Sequence, residues 1–322
     1  YNSVGTTGTY EEHGVAPEIA RAYKEVWDSG AATVRSHLAL NPVWESTAEA
    51  EQDMEQWAYT ASGSGFGSEM LKLTGVYLQY GGSQYISESR LAELPFTGWA
   101  GSGQTRNDAG RIQEFAHLVA RHNLRVNTLV RDTLEEVLTI FEEVHRVTPI
   151  DDRRWVINHV LQASPQQLQR INKLGLVVET IPLTELWLRG SKFVDQPDLA
   201  DSAVSHRRYG DMGVHYAFGT DNKPYTPFAT LWAAVARTER GTGTVLGPEQ
   251  RLSRMDALRA FTMGGAYFCF EEDRRGSIEV GKLADMAVLS DDLLQMPEGF
   301  IPNLNSVLTL VGGEVTHQTS DF

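Results

Sequence analysis

Two polar residues stand where apolar runs end. His159 follows Val156-Ile157-Asn158, and Asp221 closes Tyr216-Ala217-Phe218-Gly219-Thr220. Burying either side chain without a partner costs several kcal/mol, so each needs a hydrogen-bond partner or a ligand. A neutral imidazole is the commonest protein ligand for a metal. A carboxylate can hold a metal or take a proton from a metal-activated water. Lys72, Asn127, Glu179 and Thr180 are the other polar residues inside β-like runs. Each candidate also has a plainer reading. His159 can be a core histidine bonded to backbone, Asp221 a turn residue in Thr220-Asp221-Asn222, and Lys72 an aliphatic stem with its amine in solvent. His206 lies in a polar stretch and faces either substrate or water. His13, His37, His117, His122, His145, His215 and His317 show no paired spacing. His117 and His122 are five apart, so they do not share a helix face as an i,i+4 pair would.

Residues at strand ends do chemistry together only if a fold gathers those ends. β-like and α-like runs alternate along the chain, the pattern of a parallel α/β architecture. Strands are expected near 3–10 and over 32–40, 70–80, 124–130, 155–161, 176–181 and 214–219. Helices are expected over 17–29, 47–60, 108–121, 132–147, 227–237 and 254–270. A further helix starts at Ser164-Pro165-Gln166-Gln167, with a serine cap and a first-turn proline, and ends at Gly175. Asp108 is an expected N-cap. Seven strands approach the eight of a closed (β/α)8 TIM-type barrel, whose reactive residues sit at strand C-termini. A doubly wound open sheet is the alternative, but no Gly-rich phosphate fingerprint follows the first strand. The segments 81–107 and 184–206 read as long loops of the functional kind. They carry Trp99, Trp187 and Phe193, aromatics suited to a substrate pocket.

Composition narrows the partners. A net charge of −14 over 322 residues argues against nucleic acid or an anionic membrane surface. No apolar run reaches the ~20 residues of a spanning helix, and no signal peptide is visible. The expectation is a cytoplasmic protein with a small-molecule substrate, its self-association left open. The single cysteine, Cys269, lies in an apolar run and reads as a buried small hydrophobe.

The segment Gly276-Ser277-Ile278-Glu279-Val280-Gly281-Lys282-Leu283-Ala284-Asp285-Met286-Ala287-Val288-Leu289, with a strand at 306–311 ending in Gly312-Gly313, resembles the C-terminal signature of the amidohydrolase superfamily. Arg154-Trp155-Val156-Ile157-Asn158-His159 with Ser164-Pro165 resembles the sixth strand of its N-substituted formamide deformylase-like branch, where the strand ends in a metal-binding histidine. Tyr216-Ala217-Phe218-Gly219-Thr220-Asp221 resembles the last barrel strand, whose aspartate is metal ligand and general base. Met70-Leu71-Lys72-Leu73 resembles the strand of a metal-bridging carbamylated lysine.

The resemblance implies a barrel over 1–271 and, over 272–322, the C-terminal part of a composite β-domain. It implies a metal-dependent hydrolase of a C–N bond in a non-peptide, linear amide. His159, Asp221 and Lys72 would be the metal ligands, Asp221 and His159 catalytic, and Asn127 and His206 would line the substrate pocket. Two departures qualify it. The family's first-strand His-x-His pair is missing, and Asn127 stands where the fifth-strand histidine would be. A neutral amide is a poor ligand for zinc. The expectation is therefore zero or one divalent ion, zinc being the natural choice. The chain is expected to begin after the family's first strand, leaving uncovered edges on the strands at 285–289 and 306–311. The alternative function is a metal-depleted barrel acting as a binding protein or a metal-free lyase or hydratase.

Overall fold

The computed structural model describes residues 1–42, 44–61, 65–78, 80, 108–221 and 224–320. The segment 81–107, with Trp99, lies outside the described residues. The chain divides into two compact units. The first comprises Tyr10–Val160 and Gln169–Val177, the second Tyr1–Thr9, Leu161–Leu168 and Val178–Phe322.

In the first unit strands and helices alternate as β1 (Gly8–Val15), α1 (Pro17–Asp28), β2 (Arg35–Leu40), α2 (Thr47–Ala61), β3 (Phe66–Gly67), β4 (Leu71–Tyr77), α3 (Ala109–Arg121), β5 (Val126–Leu129), α4 (Leu134–Val147) and β6 (Val156–Asn158). β2, β4, β5 and β6 pair in parallel, with His37 opposite Lys72, Tyr77 opposite Asn127, and Asn127 opposite Val156. The two-residue β3 is antiparallel to β4. Helix formation follows the apolar spacing. Ile112, Phe115, Ala116 and Val119 form the buried stripe of α3, and the Asp108 carboxylate caps it by accepting from the Arg111 N–H. In α4 the stripe is Val137, Leu138, Phe141 and Val144, all fully buried. Phe141 meets Trp155 edge-on at 4.9 Å, so Trp155 faces the helix layer. Burying side chains of this size contributes about 1.5–3 kcal/mol each.

α5 (Pro165–Lys173) starts with a reciprocal cap. The Ser164 N–H donates to Gln167 Oε1 at 2.9 Å, and the Gln167 N–H donates to Ser164 Oγ at 3.2 Å. It ends at Gly175, which has φ 61, and a Cβ there would lie 1.9 Å from the Asp151 carbonyl oxygen. Gly175→Ala adds left-handed strain to a backbone clash. It should cost on the order of 3 kcal/mol in urea unfolding.

In the second unit β7 (Val177–Thr180) pairs in parallel with β8 (Tyr216–Phe218), Glu179 opposite Ala217. The expected loop at 184–206 is instead mostly helical. It forms a π-turn at Leu183–Leu188, a 3-10 turn at Gly190–Phe193, α6 (Pro197–Ser202) and α7 (His206–Asp211). Leu186, Phe193, Ala200, Ala203 and Val204 cluster as a small core. Their apolar pattern is diluted by the polar residues between them, which is why the segment reads as loop. After α8 (Pro227–Ala236), the buried Arg237 guanidinium donates to the carbonyls of Leu246, Val204, Ala200 and Ala203. The single helix expected at 254–270 is two, α9 (Arg254–Phe261) and α10 (Met263–Phe268), broken at Thr262. Glycine at 264 lets the second piece approach the strand, since a Cβ there would lie 2.6 Å from the Tyr216 carbonyl oxygen. Cys269 is buried, as expected.

β9 (Met286–Leu289), β10 (Ser306–Val311) and β11 (Glu314–Gln318) form a separate antiparallel sheet with β10 in the middle. The expectation of an open edge on 306–311 is therefore wrong: β11 pairs with it through the turn at Gly312-Gly313. Thr309 Oγ1 also donates to the Asn2 carbonyl at 2.7 Å, so the 3-10 turn Asn2–Val4 packs on this sheet. That turn is also why the first strand does not run over 3–10. It begins only at Gly8 and continues to Val15.

The fold is α/β, of the TIM-type (β/α) barrel class with a small β-rich cap. Among the described residues no helix is long and apolar enough to cross a membrane.

Candidate metal centre

The later start of β1 places two residues, Glu12 and His13, near its C-terminal end, where barrel chemistry is expected. His159 directly follows β6. The structure brings these three together within the first unit. His159 Nε2 lies 3.8 Å and His13 Nε2 3.7 Å from Glu12 Oε1. The imidazoles stack at 5.0 Å between centroids, and the His13 ring lies 5.6 Å from that of Tyr77 on β4. One donor atom from each residue lies within 4.8 Å of the other two.

This donor set fits a divalent ion. Zinc bonds to imidazole nitrogen and carboxylate oxygen are about 2.0–2.2 Å long, so tetrahedral ligand atoms sit about 3.4 Å apart. The observed separations need to contract by only a few tenths of an ångström for the two ion pairs. Two neutral imidazoles and one carboxylate leave a coordination position open, the pattern of catalytic rather than structural zinc. His159 has φ 57. Such left-handed strain in a non-glycine residue costs about 1–3 kcal/mol and concentrates at functional sites.

Between β1 and β5, the Tyr10 hydroxyl donates to Asn127 Oδ1 at 2.8 Å. Arg125 Nη1 donates to that hydroxyl at 3.4 Å, and its guanidinium lies 5.4 Å from the Tyr10 ring centroid. The amide of Asn127 also reaches the Val76 carbonyl at 3.5 Å. Asn127 thus braces β1 against β5. The register does not bring Lys72 to this group. It is the second residue of β4, five before Tyr77, which corresponds to about 17 Å along a strand.

Glu12 and His13 lie beyond Tyr10, where the expected first strand ends, so the strand-end rule does not select them.

Asp221 and His206 belong to the second unit. Asp221 follows β8, half-buried, with φ 53. Two residues earlier, a Cβ on Gly219 would lie 2.0 Å from Glu179 Oε1, so glycine leaves room for that buried carboxylate. His206 is fully buried rather than in a solvated loop. Its Nε2 lies 2.8 Å from Thr180 Oγ1, and the rings of Tyr216 and Phe218 lie 5.4 and 4.8 Å away.

Burial, and secondarily Arg237, holds the His206 pKa well below the usual histidine value. The unfolded chain therefore binds a proton near pH 6.5 that the folded chain refuses. The stability contribution is full above about pH 6.5 and falls as the pH drops, by about 1.4 kcal/mol per unit until the folded-state pKa is reached. Urea midpoints measured from pH 7.5 to 5 should show this fall, and a His206→Gln variant should flatten it.

A sequence profile described as "Amidohydrolase family" matches residues 1–317. The chain is 28% identical over 206 residues to N-substituted formamide deformylase of Arthrobacter pascens, covering 61% of this chain and 36% of that protein. It is similar in structure to an uncharacterized metal-dependent hydrolase of Pyrococcus furiosus, with TM-score 0.65 and 23% identity over 89% of this chain and 56% of that one. It is also similar to a zinc-bound adenosine deaminase of Xanthomonas campestris, with TM-score 0.62 and 16% identity over 97% of this chain and 66% of that one. The chain thus spans about a third of the deformylase and just over half of the Pyrococcus protein.

Proposed function

The chain belongs to the amidohydrolase family, and we propose that it is a metal-dependent hydrolase of a C–N bond in a non-peptide, linear amide. The observation that carries this reading is the three-donor group of Glu12, His13 and His159 at strand ends. These residues would hold one divalent ion, and their nitrogen and oxygen donors suit zinc. When bound, such an ion supplies Lewis acidity, which lowers the pKa of a coordinated water to about 7 and polarises a carbonyl. The chain's own residues supply the rest. Glu12 contributes the compensating negative charge. His159, fixed by its strained backbone, contributes a neutral nitrogen. Asp221, whose strand resembles the last barrel strand of the family, is the proposed proton acceptor, a role suited to a half-buried carboxylate at a strand exit. The substrate is a small molecule.

The test is amine or ammonia release from a panel of small formamides and other linear amides by the zinc-loaded protein. Hydrolysis that is lost on chelation and restored by zinc supports the reading. Equal hydrolysis with and without chelator overturns it in favour of metal-free hydrolysis, and amide binding with no turnover overturns it in favour of a binding protein.

A further inference from the structure

Asn158, the last residue of β6, has an environment the proposed hydrolysis does not account for. It is fully buried, and neither its Oδ1 nor its Nδ2 has a hydrogen-bond partner among the described residues. Leaving a buried polar atom unsatisfied costs about 1–3 kcal/mol, and native structures hold few such groups. Replacing Asn158 by an apolar residue of similar size would remove that cost. The amide therefore has a use other than stability.

Its position shows where it points. Register partners in parallel strands share a face, so Val156 lies on the face of its partner Asn127. Asn158, two residues after Val156, is on that face too. Trp155 is on the other face, packed on Phe141 of α4. The residue after Asn158 is His159, whose Nε2 lies 3.8 Å from Glu12 Oε1, so Asn158 directly adjoins the three-donor group along the chain.

We infer that Asn158 is the residue that recognises and orients the substrate amide beside the Glu12–His13–His159 group; this rests on the hydrolase reading above. A carboxamide side chain offers an acceptor and a donor on one edge. Its complement is an amide whose N–H and C=O also lie on one edge. Primary carboxamides and ring amides have that edge. A trans secondary amide presents the two groups on opposite sides and can satisfy only one atom of Asn158. The substrate class is therefore an amide with N–H and C=O on one edge, the primary carboxamide being its linear member.

The test is an NMR titration of the ¹⁵N-labelled, zinc-loaded full chain, following the Asn158 side-chain amide signal. The probes are acetamide, 2-pyrrolidinone and N-methylacetamide. Acetamide, 2-pyrrolidinone or both should bind at least about tenfold more tightly than N-methylacetamide, as expected for one additional hydrogen bond to a buried partner. Binding of acetamide alone assigns a primary carboxamide, and binding of 2-pyrrolidinone alone assigns a ring amide. In Asn158→Leu the preference should vanish, with the unfolding midpoint equal or higher and zinc affinity unchanged. Asn158→Ser serves the same purpose should the leucine variant not fold. Equal affinities for all three probes, or a marked loss of stability in both variants with the preference retained, would overturn the assignment. Failure of hydrolysis by the wild-type protein would sink the proposed reaction while leaving this edge preference intact, so the two are separable.

Discussion

Asp221→Asn is expected to lower turnover of the zinc-loaded protein by about 10²–10⁴-fold, the usual cost of removing a general base. The unfolding midpoint should barely change, for a backbone reason. Asp221 sits at φ 53, and asparagine and aspartate are the non-glycine residues that best tolerate the left-handed region. The substitution keeps shape and backbone and removes only the proton acceptor. Paired measurements of kcat and urea unfolding separate the two effects. A variant with full activity would remove Asp221 from the mechanism and strengthen the metal-free alternatives.

The second large effect concerns metal affinity. Glu12→Gln and His159→Asn should each weaken zinc binding by on the order of 10²-fold or more, because even outer-shell partners of a metal site are worth 10–100-fold. Glutamine keeps the volume of Glu12 but loses its charge. Asparagine suits the left-handed backbone of His159 but is a poor zinc ligand. Isothermal titration with zinc reads the loss directly. Asn127→Ala, by contrast, removes the brace on Tyr10 rather than a donor, so its effect on zinc affinity should be much smaller. Equal losses in all three variants would mean that the ligands are misassigned.

The sequence made the strand-end residues legible where strands are short, apolar and ended by a turn. His159 and Asp221 are of this kind, and the structure gives both the same left-handed exit from a strand. The capping residues Asp108 and Ser164 and the glycine at 175 were legible because caps and helix stops depend on local backbone chemistry. Glu12 and His13 were not. Their strand, Gly8–Val15, is only partly buried over six of its eight residues and carries two acidic residues and a histidine, so hydrophobicity gives no clear end. The helices within 184–206 were hidden by the same effect, since their buried stripe is interrupted by charged residues. Lys72 resembled a family ligand by its neighbours, but strand register, which a single chain does not reveal, places it far along β4 from Tyr77.

Joint coordination of one divalent ion by Glu12, His13 and His159 is read out by crystals of the zinc-loaded chain measured at the zinc absorption edge. One anomalous peak per chain is expected, within bonding distance of donor atoms of all three residues and about 2.0–2.2 Å from each. Two stoichiometric peaks, or a single peak elsewhere with Glu12, His13 and His159 uncoordinated, would contradict it.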